Sequence, residues 1–444
     1  MFIPHTSKDV AEMLKTIGVE HLSDLFTDIP ETLRFPNIDL PDGISELEAM
    51  ETLQEISKSN ESLKDLYCFL GAGAYNHYSP AVVDSFLRNG DFYSAYTPYQ
   101  PEISQGTLQA IFEYQSLIAN LTGMESSNAS HYDGATAMAE AALLAHYQYR
   151  GKRKKFLISK TIHPHFIEVL QTYLDGFENI ELCFVDPSPE SIAPHVDQDT
   201  AMVFVQYPDF LGQIFRYDAL AEAIHQAGAM FCVAANPMSL AILRAPGDFG
   251  ADVVVGEGQP LGIPLSYGGP YLGFFATQKK YIRKIAGRLV GETVDQKGNK
   301  GYVLTLTARE QHIRREKATS NICTNQGLLA LGATIYLSAV GKQGLIDVAN
   351  LCYHKAHYAA SQIDQVPGYR VIQNQPFFNE FVVECPTSPT EINHHLLEHG
   401  VLGGLDISAF YPERHNPMLI ALTEMNDKSQ IDFLVEILQE AHHD

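Results

Sequence analysis

Between positions 8 and 27, Val10, Leu14, Ile17, Leu22 and Leu25 recur at spacings of three to five. This is the apolar stripe of an amphipathic helix, interrupted near Gly18. After a linker from Pro36 to Gly43, Ser45 and Glu48 stand three apart at the head of a second stripe, Leu47, Met50, Leu53 and Ile56. That spacing predicts a capping box and another helix. From about Leu63 the texture changes to glycine-rich and aromatic loops. Helical patterns then alternate with short apolar runs at 156–158, 180–185, 202–205, 230–234, 253–255 and 271–275. The alternation predicts an α/β domain on a largely parallel sheet, with right-handed crossovers and helices such as 218–226 between strands. Beyond a helical region at 326–340, the runs at 369–373, 377–384, 391–399 and 418–423 mix strand and helix on a smaller scale. The expected organisation is a helical arm and linker over 1–62, a large domain over 63–330 and a small C-terminal α/β domain over 331–444.

Composition narrows the partners. Lys and Arg number 30 against 53 Asp and Glu, a formal net charge of -23, which repels a phosphate backbone and excludes nucleic acid as the expected partner. Hydrophobic residues at 45% and charged ones at 19% are those of a folded globular chain. The cysteines, Cys68, Cys183, Cys232, Cys323, Cys352 and Cys385, form no C-x-x-C pair. They fit free thiols in a reducing compartment rather than a zinc or redox motif. No stretch has the roughly 20 uninterrupted apolar residues of a membrane span, and the N-terminus lacks a targeting pattern. The expectation is a cytoplasmic protein with no membrane contact and no metal.

Two loops, 69–80 and 93–106, concentrate aromatics, glycine and proline. The first carries Asn76 and His77; the second carries Tyr96, Tyr99, Gln100 and Glu102. Rigid aromatic surface with hydrogen-bonding groups suits a site or an interface, although composition alone serves equally for tyrosines packed on the domain. Gly134, Ala135 and Thr136 open an alanine-rich helix, whose N-terminal amides favour an anion such as phosphate; the same tripeptide also marks a plain helix start. His163, after a predicted strand, is either a ring that stacks on a planar cofactor or a packing residue. The basic run 150–155 on an acidic chain is either a steering patch for an acidic partner or a solvated loop.

The blocks 96–106, 231–237 (FCVAANP), 266–276 (SYGGPYLGFFA) and 313–324 (IRREKATSNICT), together with the helix start, resemble the glycine cleavage system P-protein. The match runs in order over nearly the whole chain and is similar to the N-terminal half, the alpha subunit or subunit 1 of the two-subunit form. The resemblance implies a fold of the aspartate-aminotransferase type, shared by pyridoxal-phosphate (PLP) transferases, with a large mostly parallel-sheet domain. It also implies the oxidoreductase activity of the decarboxylating, aminomethyl-transferring glycine dehydrogenase. PLP enzymes of this fold need a lysine for the aldimine, a carboxylate on the pyridine nitrogen and a helix N-terminus for the phosphate.

No lysine occurs from Thr161 through Gln278. Gln259-Pro260 occupies the place of the family's His-Lys pair, and Val233 that of the pyridinium carboxylate. The resemblance therefore implies a chain that has kept the fold and lost the cofactor, leaving Gly134, Ala135 and Thr136 as a vestigial phosphate cradle. PLP is expected on a beta partner (subunit 2), in an α2β2 assembly that decarboxylates glycine and passes the aminomethyl group to the lipoyl arm of the H protein. The residues expected to reach that shared site are Asn76, His77, Tyr96, Tyr99, Gln100 and Glu102, with Arg314, Thr319 and Asn321. Two alternatives stay open: a self-sufficient PLP enzyme using Lys279 or Lys280, and a non-catalytic subunit that only stabilises its partner.

Overall fold

The computed structural model describes residues 4–34, 36 and 38–441; Met1–Ile3, positions 35 and 37 and the last three residues lie outside it. The chain forms two compact units, 1–61 and 62–444. In the first, helix α1 (Ser7–Ile17) ends on Gly18, whose φ of 91° is the left-handed conformation of a helix stop. Helix α2 (Glu46–Ser57) starts with the expected capping box, the Ser45 hydroxyl accepting from Glu48 N while Glu48 accepts from Ser45 N. Its whole apolar stripe is exposed, Leu47, Leu53 and Ile56 each by about three-fifths.

In the second unit the elements run β1 (Tyr67–Cys68), α3 (Ala81–Leu87), α4 (Gly90–Tyr93), α5 (Gln105–Thr122), β2 (Ser126–Ser127), α6 (Gly134–Gln148), β3 (Lys155–Ser159), α7 (Pro164–Leu174), β4 (Glu181–Val185), α8 (Pro189–Ile192), β5 (Thr200–Tyr207), α9 (Asp218–Gln226), β6 (Met230–Ala235), β7 (Val253–Glu257) and β8 (Gly273–Thr277). A hairpin follows, β9 (Val290–Val294) and β10 (Lys300–Leu304), then α10 (Gln311–Arg314) and the long α11 (Gly327–Ile363). The chain closes with β11 (Arg370–Ile372), β12 (Glu380–Glu384), α12 (Pro389–Glu398), β13 (Val401–Leu402), β14 (Leu405–Asp406), β15 (Pro417–Ala421) and α13 (Lys428–Glu440).

Seven strands make the main sheet in the order β2-β8-β7-β6-β5-β3-β4. Pairings from β4 to β7 are parallel, and β8 runs antiparallel to β7 and β2. Successive side chains of β6 enter opposite cores: Phe231 and Val233 pack with α5 and α9 residues, Cys232 and Ala234 with those of α6 and α7. A strand buried on both faces reads as an unbroken apolar run, which is why the sequence revealed it. A second, antiparallel sheet, β11-β12-β15-β14, carries its own core against α12, α13 and the end of α11. The predicted run at 271–275 becomes a strand two residues later, because Tyr271 is held in the preceding loop by its hydroxyl on Leu265 O at 2.9 Å. The helix expected at 326–340 continues to Ile363 past a break at Gly341, where φ is 61°. Length and hydropathy would let this helix cross a membrane, but Ala330, Ala333, Tyr336, Ala349, Ala356 and Ile363 are core residues.

Candidate functional site

In open α/β sheets ligands bind beyond the carboxyl ends of the strands. Here that edge holds a crevice lined by Gln206, Ala234, Ala235, Asn236, Glu257 and Pro260, with Tyr75 and His163 reaching over it. Its polar groups are tied to one another. Gln259, 1% exposed, accepts from Tyr75 N at 2.8 Å and donates to the carbonyls of Tyr75 at 2.9 Å and Ile263 at 2.7 Å. The 69–80 loop is thereby fastened to the end of β7. From the other side Glu380 accepts from Ala72 N at 2.6 Å and from the Tyr75 hydroxyl at 2.5 Å, while burial pushes its carboxyl up to about 7. Gly71 must be glycine here, since a Cβ would lie 2.4 Å from Ala421 Cβ and 2.5 Å from the Glu380 carboxylate.

Both ring nitrogens of His163 are hydrogen-bonded within the chain. Its Nδ1 faces His165 N at 3.1 Å and so accepts, which leaves Nε2 to donate to Ala72 O at 2.8 Å. Burial holds the ring neutral, with its pKa down at about 4, and it stacks on Phe166. His77 Nδ1 meets the Glu424 carboxylate at 2.7 Å. Burial works to raise Glu424, but the His77 bond and charge and Tyr78 N outweigh it and hold the carboxyl below its ordinary value. Asn76 contributes its carbonyl to the Thr423 hydroxyl at 2.7 Å.

Of the phosphate-binding groups expected at α6, those of Gly134 and Thr136 are already engaged. Thr136 N and its hydroxyl donate to the N-cap Asp133 at 2.7 and 2.9 Å, and Gly134 N donates to Glu257 at 3.0 Å. Lys279 and Lys280 lie at the other edge of the sheet. Antiparallel pairing sets Thr277, at the end of β8, opposite Val253, at the start of β7, and Lys280 Nζ rests on Asp252 Oδ1 at 2.9 Å. A lysine at that edge cannot reach the crevice.

A second region gathers other predicted residues. The Tyr99 hydroxyl donates to Asn325, and its ring lies 5.0 Å from the Arg288 guanidinium carbon. Arg288 pairs with Glu310, the two side chains 14% and 6% exposed, and donates to Cys323 O at 2.8 Å. Arg309 stands nearby, its pKa lowered to about 10 by burial and by Arg288 despite Glu310. Arg288 Nε and Arg309 Nε and Nη2 have no hydrogen-bond partner. In front of this anchored layer, Tyr93 and Tyr96 are 73% and 92% exposed, and Gln100, Glu102, Arg314, Thr319 and Asn321 are exposed as well. Thr319 and Asn321 share one groove with Gln311 and Arg315.

The family profile of the Glycine cleavage system P-protein matches residues 1–438. A curated relative from Thermomicrobium roseum, described as a probable glycine dehydrogenase (decarboxylating) subunit 1, is 54% identical over 99% of both chains. Another of the same description, from Desulforamulus reducens, is 51% identical over 98% of both. The chain belongs to the P-protein family. A solved glycine decarboxylase (P-protein) of the glycine cleavage system, in inhibitor-bound form, superposes with a TM-score of 0.89 at 42% identity, covering 99% of this chain and all of the other. Lactobacillus brevis glutamate decarboxylase, at 15% identity and a TM-score of 0.69, shares the fold alone, the PLP-dependent transferase type expected from the sequence.

Within this P-protein chain the residues do not fit PLP. Pro260 supplies no amine, Val233 is a fully buried core residue, and a carboxylate stands on the helix that would take the phosphate. The predicted residues divide into two sets: Asn76 and His77 brace the closed crevice, whereas Tyr96, Tyr99, Gln100, Glu102, Arg314, Thr319 and Asn321 belong to the exposed aromatic region or its flank. Sequence reasoning missed Arg288, Arg309 and Glu310, whose only local signal is an Arg-Glu pair after a hairpin. It also missed Glu257, a lone acid ending a valine run. The basic run 150–155 is partly structural, since Arg153 donates to Thr200 O and Ala227 O and Lys155 pairs with Asp197.

Proposed function

We propose that this chain acts in decarboxylating glycine dehydrogenase as the subunit that completes a PLP site held by a beta-type partner. The beta subunit binds PLP and glycine, in an α2β2 assembly, and the aminomethyl group left after decarboxylation passes to the lipoyl arm of the H protein. PLP there supplies the electron sink for loss of carbon dioxide. This chain's part is to cover the partner's site, exclude water and orient anionic groups.

The observation that carries the reading is the exposed aromatic region. Tyr93, Tyr96 and Ile103, at 73, 92 and 68% exposure, sit on a segment anchored from behind by Tyr99, Asn325 and Arg288. Large aromatics held rigidly in solvent are the composition of an interface core. The buried guanidinium groups of Arg288 and Arg309 behind it set positive charge under this face, which favours a carboxylate or phosphate. A subunit that only stabilised its partner would need no such polar set behind an apolar rim.

The test is to purify the chain alone and with a beta-type partner, add PLP and glycine, reduce with borohydride and map the labelled lysine by mass spectrometry. Label on the partner alone, with decarboxylation only in the mixture, is the expected outcome. Label on Lys279 or Lys280 of this chain would overturn it. In the assembled complex, Tyr99→Ala or Arg314→Ala should lower decarboxylation without dissociating the subunits; unchanged activity in both would remove these residues from the site.

A further inference from the structure

We propose that Glu257 is a built-in carboxyl plug that occupies this chain's own phosphate cradle, closing its crevice to phosphorylated cofactors. The inference goes beyond the functional reading above and stands on this chain alone. Glu257 ends β7, and its two carboxylate oxygens take three main-chain N–H donors from three separate segments. Gly134 N, at the start of the 15-residue helix α6, donates to Oε2 at 3.0 Å. Leu272 N, ahead of β8, donates to Oε1 at 2.8 Å, and Gln259 N, in the turn after β7, to the same oxygen at 3.2 Å. Convergent main-chain donors at a helix N-terminus are the environment that binds a phosphate oxygen. In this chain a side chain supplies the oxygens.

Three further features fit a permanent occupant. The approach is too tight for a space to remain: a Cβ at Gly134 would lie 2.6 Å from Phe166 Cζ and 2.9 Å from Glu257 N and Gly256 C, so the end of β7 rests on the first turn of α6. Two more donors of that turn are taken, because Thr136 N and its hydroxyl both serve Asp133. Two carboxylates, Asp133 and Glu257, then face the same helix end and repel a dianion. Burial, opposed by the three N–H donors and reinforced by Asp133, brings the Glu257 carboxyl up to about 7. The group is held there by geometry at a cost in charge, as a structural plug would be. Gln259, bonded on both sides of its amide, fills the neighbouring position and seals the crevice under Tyr75.

The experiment measures binding of inorganic phosphate and of pyridoxamine 5′-phosphate, which cannot form imines with surface lysines, by equilibrium dialysis against the full chain. The wild type should take up neither saturably at millimolar concentration. Glu257→Ala should gain saturable phosphate binding with affinity at least about tenfold above wild type, the scale of one charge-assisted contact set gained. Glu257→Gln, which keeps the volume and removes the charge, gives a smaller gain and serves if the alanine variant fails to fold. Saturable binding by the wild type would overturn the proposal whatever the variants do, and so would folded variants that bind no better than wild type. Because the readout is ligand binding rather than glycine decarboxylation, its failure is separate from failure of the partner-completing role.

Discussion

The crevice at the strand ends and the aromatic face around Tyr99 stand in contrast. In the crevice, Gln259, Glu257, Glu380, Tyr75 and His163 are hydrogen-bonded to neighbouring segments of the chain, and His77 Nε2 is a buried nitrogen there without a partner. Around Tyr99 far more is left over: aromatic rings stand in solvent, and three guanidinium nitrogens of Arg288 and Arg309 have no partner. Polar groups that a fold satisfies internally hold it together, whereas groups it positions and leaves unpaired are available to something else. If the partner holds the cofactor, as proposed, the first kind of region serves this chain as a joint and the second remains for the partner.

The largest effect should follow from breaking the joint. Gln259→Ala leaves the buried amide and carbonyl of Tyr75 without partners and should cost about 2–4 kcal/mol in urea unfolding. A loss below about 0.5 kcal/mol would mean that the crevice is not a joint. Next comes pH. Glu380 has its pKa raised by burial, so the fold favours its neutral form. The stability it confers is complete below the ordinary carboxyl value and is lost as pH rises through about 7. Between pH 5 and 8 the wild type should lose on the order of 1–3 kcal/mol relative to Glu380→Gln, measured as the difference between their thermal or urea curves; parallel profiles would remove Glu380 as the cause.

On the exposed side the expectation inverts. Tyr99→Phe removes only the hydroxyl bonded to Asn325 and should lower kcat/KM of the assembled complex by about tenfold, roughly 1.4 kcal/mol, while shifting the unfolding midpoint of the isolated chain little. Equal losses of stability and activity would erase the contrast between the two regions. The smallest effect belongs to Lys279→Ala, at the far edge of the sheet, which should change stability by less than about 0.5 kcal/mol and leave decarboxylation unaltered. Lost activity there would reopen the reading of a self-sufficient enzyme.

Much of the framework was legible. β5 and β6 announce themselves as apolar runs because both faces are buried, the Ser45 capping box is a local three-residue contact, and helix α9 falls at its predicted bounds. The antiparallel course of β8 was not legible, since a strand's direction depends on where the chain re-enters the sheet. Of the candidate site, the 93–106 loop was legible from composition. The division of its companions into a closed and an open region was not, because Asn76 and His77 are claimed by Thr423 and Glu424, almost 350 residues away.

The sequence by itself determined the family, many of the secondary elements and the absence of any lysine from Thr161 through Gln278, for these are matters of residue identity and near-neighbour periodicity. Only the tertiary structure decided that Lys279 and Lys280 stand at the wrong edge of the sheet, and that Arg288 backs Tyr99. It alone placed Glu257 on the amide of Gly134, 123 positions away. Which acid meets which helix end is settled by strand order and loop closure, and those are set by burial of the whole core rather than by any local pattern.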